Sequence, residues 1–250
     1  MPANLKLYMV RCIIFCCLWF CSLGGRAQDV RPDRKISFSG YEWAIRSTVN
    51  KQGPGPNYFS DSCVQIDGLG RLHLLITKDP KNGRWICPEI TSSLKFGYGT
   101  YTFVVEGAID HFDKNIVLGL FNYSGNDGYD EMDIEIARWG NAAYPNLNYT
   151  IWPAKMDTAK NSATTKEFVL KSTLSTHYFR RNADTVVCAS FDSISTDPKY
   201  LIYSSAFARP KSSVSRVAMP VHINFWLFGG NPPEDQKAVE VIIRSFQFKP

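Results

Sequence analysis

The segment "YDEMDIEIARWG", from Tyr129 to Gly140, carries three carboxylates at every second position. The acids are Glu131, Asp133 and Glu135, and the residues between and after them are Met132, Ile134 and Ile136. A period of two is the period of a β-strand, so the acids are predicted to share one face and the apolar residues the other. Like charges on one strand face repel each other. The pattern therefore predicts a strand with one core face and one unusually acidic face.

Strand signals continue along most of the remaining chain. "CVQI" and "LHLLIT" flank "DGLGR", a combination that predicts a β-hairpin with glycines in its turn. Further strands are predicted in "GTYTFVVEG", "NIVLGLFNY", "LNYTIW", "TVVCASF", "YLIYSS", "VHINFWLF" and "AVEVIIRSFQF". No stretch keeps a helical period for more than about two turns. Many short strands without intervening helices indicate an all-β antiparallel sandwich or barrel.

The first 27 residues have the pattern of a secretory signal peptide. Lys6 and Arg11 precede the apolar run "CIIFCCLWFCSLGG", and Ala27 offers a small residue at a cleavage point. A retained membrane anchor is the alternative, but the apolar run is short for a span. We therefore expect residues 1–27 to be removed and residues 28–250 to form one secreted or periplasmic domain, without stable membrane insertion.

The charge balance and the histidines argue against several classes of partner. The full chain has 28 basic and 23 acidic residues, and three of the basic ones, Lys6, Arg11 and Arg26, lie in the predicted signal peptide. No basic cluster remains that would indicate nucleic-acid binding. The four histidines show no metal-ligand spacing. We expect no cofactor, no metal and no nucleic-acid partner, and a monomeric protein.

Three cysteines lie outside the predicted signal peptide: Cys63, Cys87 and Cys188. Three thiols allow at most one disulfide, and Cys63 with Cys87 is the favoured pair if one forms in an exported protein. The alternative is three buried free thiols, which pack as small apolar side chains.

The acidic face has the residue types that glycoside hydrolysis requires. Glu131 and Glu135 are four residues apart, so their Cα atoms are ~13 Å apart along a strand. Side chains that lean together approach the roughly 5–5.5 Å carboxyl separation of retaining hydrolases, in which one carboxylate attacks and the other protonates the leaving oxygen. Asp133 between them supplies a negative field that raises the pKa of the acid.

Two other uses of the acids stay open at this point. One is a solvated strand face that is acidic without a function. The other is a calcium site formed by Asp127, Asp130 and Glu131, although "GNDGYDE" lacks the ligand spacing of a known calcium loop.

The segment "DEMDIE" resembles the E-x-D-x-E signature of glycoside hydrolase family 16, which includes lichenases, laminarinases and xyloglucan-modifying enzymes. "CPEITSSLKFGYGTYTFVVEG", "NYTIW", "INFWLFGG" and "VEVIIRSFQF" resemble other segments of that family, in the same order, across Phe38 to Lys249. The resemblance implies a concanavalin A-like jelly-roll β-sandwich with a substrate cleft on its concave face.

By this resemblance Glu131 is the nucleophile, Asp133 its helper and Glu135 the general acid/base. One residue separates Asp133 from Glu135, as in the lichenase and xyloglucan branches. The resemblance thus implies a retaining, endo-acting hydrolase of a β-glucan-type polysaccharide, similar to the β-1,3-1,4-glucanases. A transglycosylase and a non-catalytic, lectin-like carbohydrate-binding protein on the same fold are the alternatives, because fold alone does not decide function.

The resemblance also implies a set of substrate-binding residues: Glu89, Tyr129, Asn148, Tyr149, Asn224 and Trp226. Thr91 stands where the family often has an arginine, and Tyr129 where it often has a tryptophan. By period two, Asn224 and Trp226 share a face, and an asparagine is unusual in a core, which favours the cleft for both. For Trp152 the cleft and the core are both open.

Overall fold

The computed structural model describes residues 34–155, 157, 160–208 and 213–250. The predicted signal peptide and its cleavage point at Ala27 lie outside these residues. Within the part of the chain that is described, no helix is long and apolar enough to cross a membrane.

The regular structure is almost entirely β-strand. In chain order the strands are β1 (Lys35–Phe38), β2 (Tyr41–Ile45), β3 (Tyr58–Phe59), β4 (Val64–Ile66), β5 (Leu72–Lys78), β6 (Trp85–Cys87), β7 (Glu89–Phe96), β8 (Gly99–Glu106), β9 (Ile116–Tyr123), β10 (Glu131–Ala137), β11 (Leu147–Trp152), β12 (Ser162–Lys166), β13 (Leu174–Arg181), β14 (Thr185–Phe191), β15 (Leu201–Ala208), β16 (Met219–Leu227) and β17 (Val239–Lys249). Single-turn 3₁₀ helices occupy Asp61–Cys63, Ile109–His111, Pro198–Tyr200 and Phe228–Gly230.

The strands form two sheets. Sheet I has the order β1-β2-β7-β16-β9-β10-β11-β12, and sheet II has the order β15-β14-β13-β8-β17-β5-β6-β3, with β4 paired to β5. The pairings within both sheets are antiparallel, apart from the short parallel contact between β3 and β6. One hydrophobic cluster contains side chains from both sheets, so the core lies between them. The predicted antiparallel sandwich is confirmed.

The strand β10 has the two faces that its sequence predicts. Met132, Ile134 and Ile136 are fully buried in the core between the sheets. Each buried aliphatic side chain of this size contributes roughly 1.5–3 kcal/mol relative to an exposed one. This burial fixes the register of β10 and points its three acids away from sheet II, because a slip by one residue would exchange the two faces.

The predicted hairpin at "DGLGR" is also confirmed. β4 pairs with β5 in the register Val64 to Leu74, and Gly70 in the turn has a φ of +75°. The Asp67 carboxylate accepts hydrogen bonds from the backbone N–H groups of Leu69 and Arg71, both at 2.9 Å. A short acid that bonds the backbone two residues ahead is a common way to stabilise such a turn.

The strand β13 was not among the strands predicted from the sequence. Its core face carries Ser175, His177 and Arg181, which are all buried, so it lacks the apolar alternation of a typical strand. His177 lies between the hydroxyls of Ser175, at 2.9 Å, and Ser190, at 2.8 Å. Burial lowers the pKa of His177 to about 3, so the imidazole is neutral. The hydroxyls, the imidazole and the two Nη atoms of Arg181 on this face are hydrogen-bonded within the protein, whereas Arg181 Nε has no partner.

The three cysteines outside the predicted signal peptide are free and buried. The favoured disulfide between Cys63 and Cys87 is absent, and the alternative of buried thiols is the one observed. The Cys87 thiol lies 3.7 Å from the Asn57 side-chain oxygen, a weak hydrogen bond. Burial raises the pKa of Cys63 to about 12, so this thiol is unreactive as it stands.

Candidate active site

The three acids lie on the face of sheet I that points away from sheet II, which we call the acidic face. Strand register places side chains from five strands in one row across it. In order across the sheet, this row is Glu89, Asn224, Gly119, Glu135 and Asn148. The adjacent row on the same face is Thr91, His222, Phe121, Asp133 and Thr150. Residues that are far apart in sequence therefore meet around the acids.

The acidic face is a recess. Asp133 is only 6% exposed, Glu89 7% and Asn224 3%, although all three point away from the second sheet. An open sheet face would leave such side chains wet. Their burial means that neighbouring side chains and loops wall the face, as in a ligand cleft.

Gly119 leaves the space at the centre of the row. A Cβ atom built on Gly119 would lie 2.3 Å from the side-chain oxygen of Asn224. That side-chain oxygen is buried without a hydrogen-bond partner. Asn224 therefore reaches over the glycine toward Glu135, on the opposite side of the row.

The carboxyls hold protons near neutral pH. Burial, followed by the charge of Glu135, raises the pKa of Glu131 to about 8. Burial raises the pKa of Glu135 to about 7. Asp133 is the most enclosed of the three, and burial and the charges of both glutamates raise its pKa well above the ordinary value. Near pH 7 the trio therefore carries fewer than three charges, which relieves the repulsion expected from the sequence.

Asp133 links β10 to the neighbouring strand. The indole Nε1–H of Trp152 donates a hydrogen bond to Asp133 Oδ2 at 3.0 Å. The charge of Glu131 raises the pKa of Asp133, so the two carboxyls are close enough to affect each other's ionisation. Trp152 lies directly opposite Glu131 in the β10–β11 register. The open question about Trp152 is thus decided in favour of the acidic face.

A second cluster, centred on Glu89 of β7, lies in the same recess, with β16 and β9 between β7 and the acids of β10. Arg46 Nη1 donates to Glu89 Oε2 at 2.8 Å, and His222 Nδ1 lies 3.6 Å from Glu89 Oε1. Thr91 Oγ1 is 3.0 Å from His222 Nδ1. Burial raises the pKa of Glu89, but the contact with His222 and the charge and hydrogen bond of Arg46 outweigh it, and the net pKa is lowered. Glu89 is therefore an ionised group in the recess.

The sequence reasoning missed Arg46, His222 and Phe121. The His222 ring is stacked on Phe121, with centroids 5.0 Å apart and planes at 17°. Strand alternation in "VHINFW" places His222 on the same face as Asn224, so the sequence does contain a signal for His222. Arg46 follows β2 and reaches Glu89 only through the strand pairing, so no local pattern reveals it.

The prediction that Tyr149 binds substrate is wrong. It pairs with Ile134, on the core face of sheet I, and is fully buried. Its hydroxyl donates to Ser190 Oγ of sheet II at 2.7 Å. Strand alternation separates it from Asn148, so only Asn148 lies on the acidic face, and Tyr149 cannot contact a ligand there.

The other predicted binding residues differ in accessibility. Asn148 is on the acidic face, with its amide donating to the Ala137 carbonyl at 2.9 Å. Tyr129 precedes β10 and is 37% exposed. Trp226 is on the acidic face but only 6% exposed, with the ring of Trp139 at 6.3 Å between centroids. Trp226 is thus mostly covered in this state.

Within the described residues, no three His, Cys, Asp or Glu side chains are grouped so that they could hold a metal ion. The calcium alternative for Asp127, Asp130 and Glu131 therefore has no support from their positions. Asp130 is buried, with a positive φ of 51°, and its backbone N–H donates to the Pro153 carbonyl at 2.8 Å.

No protein-family model and no curated protein matches the chain. Several solved structures are similar to the chain. A β-glucanase of Bacillus licheniformis has a TM-score of 0.62 and 16% identity, over 83% of this chain and 92% of that one. A mixed-linkage-glucan GH16 protein of Bacteroides ovatus in complex with a product has a TM-score of 0.57 and 12% identity, over 83% and 94%.

A third similar structure has a different description. It is an immunostimulatory antigen and pseudo β-1,3-glucanase of Mycobacterium tuberculosis, with a TM-score of 0.59 and 16% identity, over 80% of this chain and 88% of that one. The described part of the chain therefore has the jelly-roll β-sandwich fold of the bacterial β-glucanases, as the family resemblance implies, and the strand pattern by itself predicts an antiparallel sandwich or barrel.

Proposed function

We infer that the protein is a family 16 glycoside hydrolase that cleaves internal bonds of a β-glucan-type polysaccharide with retention. One observation carries this: three carboxyls alternate on one recessed strand face, where their pKa values are raised into the neutral range. Such crowding is costly for a structural strand, and it suits a reaction that needs a nucleophile and an acid side by side.

The reaction proceeds in two displacements. The Glu131 carboxylate attacks the anomeric carbon while Glu135 gives its proton to the leaving glycosidic oxygen, which forms a glycosyl ester on Glu131. The Glu135 carboxylate then takes a proton from water, and the resulting hydroxide attacks the same carbon and releases Glu131. Glu135 ends protonated and Glu131 ionised, as at the start.

Both glutamates have raised pKa values, about 8 for Glu131 and about 7 for Glu135, whereas the reaction requires an ionised Glu131 and a protonated Glu135. Two effects favour an ionised Glu131 during the reaction. One is the neighbouring Asp133, whose raised pKa keeps it protonated, so that it can donate a hydrogen bond to the Glu131 carboxylate. The other is the positive charge that develops on the sugar ring in the transition state. Both act on Glu131 more directly than on Glu135, which lies on the leaving-group side.

The proposed substrate class is mixed-linkage β-1,3-1,4-glucan. Its support is the single residue between Asp133 and Glu135, together with neighbours described as β-glucanase and as a mixed-linkage-glucan protein. The recess offers an ionised carboxylate at Glu89 and an amide at Asn224 as hydrogen-bonding groups for sugar hydroxyls. Export by the predicted signal peptide belongs to this proposal, since the polymer lies outside the cell.

A non-catalytic binding protein is the second candidate. The specific observation in its favour is that one structural neighbour is described as a pseudo β-1,3-glucanase. A pure binder has no need of three mutually repelling acids. Removing them would then stabilise the fold and leave polysaccharide binding unchanged.

The test is release of reducing ends by residues 28–250 from mixed-linkage β-glucan, with xyloglucan, laminarin and agarose in parallel. Glu131→Gln and Glu135→Gln keep the side-chain shape and remove the charge. We expect release from mixed-linkage glucan, with both variants inactive but still retained on the polymer in an affinity gel. The anomeric form of the first product, read by proton NMR, should be β. Binding without release from any polymer would reject the hydrolase and favour the second candidate.

A further inference from the structure

The hydrogen bond from Trp152 to Asp133 has no part in the two displacements described above. It joins two strands at the centre of the acidic face, at 3.0 Å, and it occupies one of the two oxygens of Asp133. Because an indole N–H is a donor only, that oxygen must act as an acceptor. Any proton on Asp133 must then be on the other oxygen.

The other Asp133 oxygen is the one available to Glu131. Asp133 and Glu131 are separated by one residue on the same face, and Trp152 is directly opposite Glu131. The charges of the two carboxyls raise each other's cost of ionisation, which places them close together on this face. The indole of Trp152 therefore holds one oxygen of a carboxyl whose other oxygen is next to Glu131.

We propose that Trp152 is a positioning residue that fixes the orientation of the Asp133 carboxyl, so that the other Asp133 oxygen can donate a hydrogen bond to the Glu131 carboxylate while Asp133 keeps its proton. The proposal deepens the proposed function and rests on it, since the consequence for rate requires Glu131 to be the nucleophile. Without the indole N–H, either oxygen of Asp133 can turn toward Glu131, and the donor is no longer held in place.

The surroundings contain few groups that could do the same task. The ionisable groups near Asp133 and Glu131 on the acidic face are Glu135 on β10, Asp127 in the preceding loop, Tyr123 on β9 directly opposite Glu131 and, beyond Phe121, His222 on β16. Cys188 of β14 lies behind β10, in the core between the sheets. Glu135 and Asp127 are anionic when ionised, so they raise the pKa of Glu131. Among these described neighbours, Trp152 is the group that donates to Asp133.

The test is Trp152→Phe, which keeps an aromatic ring and removes the N–H. We expect kcat on mixed-linkage glucan to fall about tenfold, the order of one lost hydrogen bond to a charged network, with KM little changed. The acid limb of the pH–rate profile should move to higher pH, because Glu131 becomes harder to ionise. Trp85→Phe removes an indole N–H from β6 of sheet II and should leave both unchanged.

A double variant separates positioning from a merely structural role. If Trp152 acts through Asp133, Trp152→Phe should cost no further kcat in an Asp133→Ala background. Additive losses, or a lower melting temperature with an unmoved acid limb, would overturn the proposal.

A direct titration keeps this test independent of turnover. Carbon-13 NMR of the Glu131 carboxyl in ligand-free protein should show a higher pKa in Trp152→Phe than in the wild type. An unchanged Glu131 titration overturns the positioning role whatever the activity. A wild type that titrates as expected but releases no sugar from any glucan overturns the proposed function and leaves the orienting hydrogen bond standing.

Discussion

At the scale of single residues, Gly119 shows how an absent side chain shapes the site. It is a glycine without a positive φ, so its backbone conformation does not explain it. The explanation is space, because Asn224 occupies the position that a Cβ atom would take. The row of side chains from Glu89 to Asn148 depends on this gap.

We predict that Gly119→Ala displaces the Asn224 amide, which is buried and has little room to move. Overpacking of this kind costs about 1–3 kcal/mol of unfolding free energy, measurable by urea denaturation. KM for the polysaccharide should rise, since Asn224 leaves its place in the recess. Gly68→Ala is the control, because a Cβ atom there meets nothing within 4 Å. Equal effects of the two substitutions would contradict this account of Gly119.

Tyr149 gives a prediction of the opposite kind, because the structure removes it from the binding residues. Tyr149→Phe deletes the hydroxyl that donates to Ser190 Oγ at 2.7 Å. The expected loss is about 0.5–1.5 kcal/mol of unfolding free energy, the usual contribution of one hydrogen bond. Activity and polysaccharide affinity should match the wild type when measured well below the melting temperature. A specific loss of affinity would return Tyr149 to the site.

At the scale of the element, β10 determines a pH dependence of stability. The pKa of Glu131 is raised to about 8 and that of Glu135 to about 7, from an ordinary 4.5. The folded protein thus binds these protons more tightly than the unfolded chain does. The stabilisation is fully present below about pH 4.5 and is lost as the pH rises toward 8.

We therefore predict a steeper fall of melting temperature between pH 5 and pH 8 for the wild type than for the double variant Glu131→Gln/Glu135→Gln. The difference at pH 8 should be roughly 5 °C or more in favour of the variant. His177, whose pKa is lowered to about 3, destabilises both proteins equally as the pH falls below 6.5, so it cancels in the comparison. If the melting temperatures of the two proteins changed in parallel between pH 5 and pH 8, ionisation of the two glutamates would not destabilise the fold, and the prediction would be wrong.

The same strand shows which parts of the site could be read from the sequence. The alternation of acidic and apolar residues in β10 is enough to assign its core face and its acidic face, because both sets of residues lie in one short segment. The face of Trp152 follows only once the register of β11 against β10 is known. Tyr149 was misassigned because the resemblance groups it with Asn148, whereas adjacent strand residues point to opposite faces.

At the scale of the whole molecule, the antiparallel sandwich follows from the sequence because ten of its strands are predicted from apolar runs or from alternation. β13 does not, since its core face carries a serine, a histidine and an arginine. Their hydrogen bonds are made with β14 and with loops that are distant in sequence. A buried polar strand of this kind becomes visible only after its partners are in place.

The order of strands in sheet I has a consequence for how the protein is made. β16 is the last strand but one along the chain, yet it lies in the middle of the sheet, between β7 and β9. Until it has emerged, β7 and β9 both present an unpaired edge, and such edges can capture other chains. Asn224 and His222 also arrive with this strand. The growing chain therefore closes the gap in sheet I and completes its candidate site in the same late step.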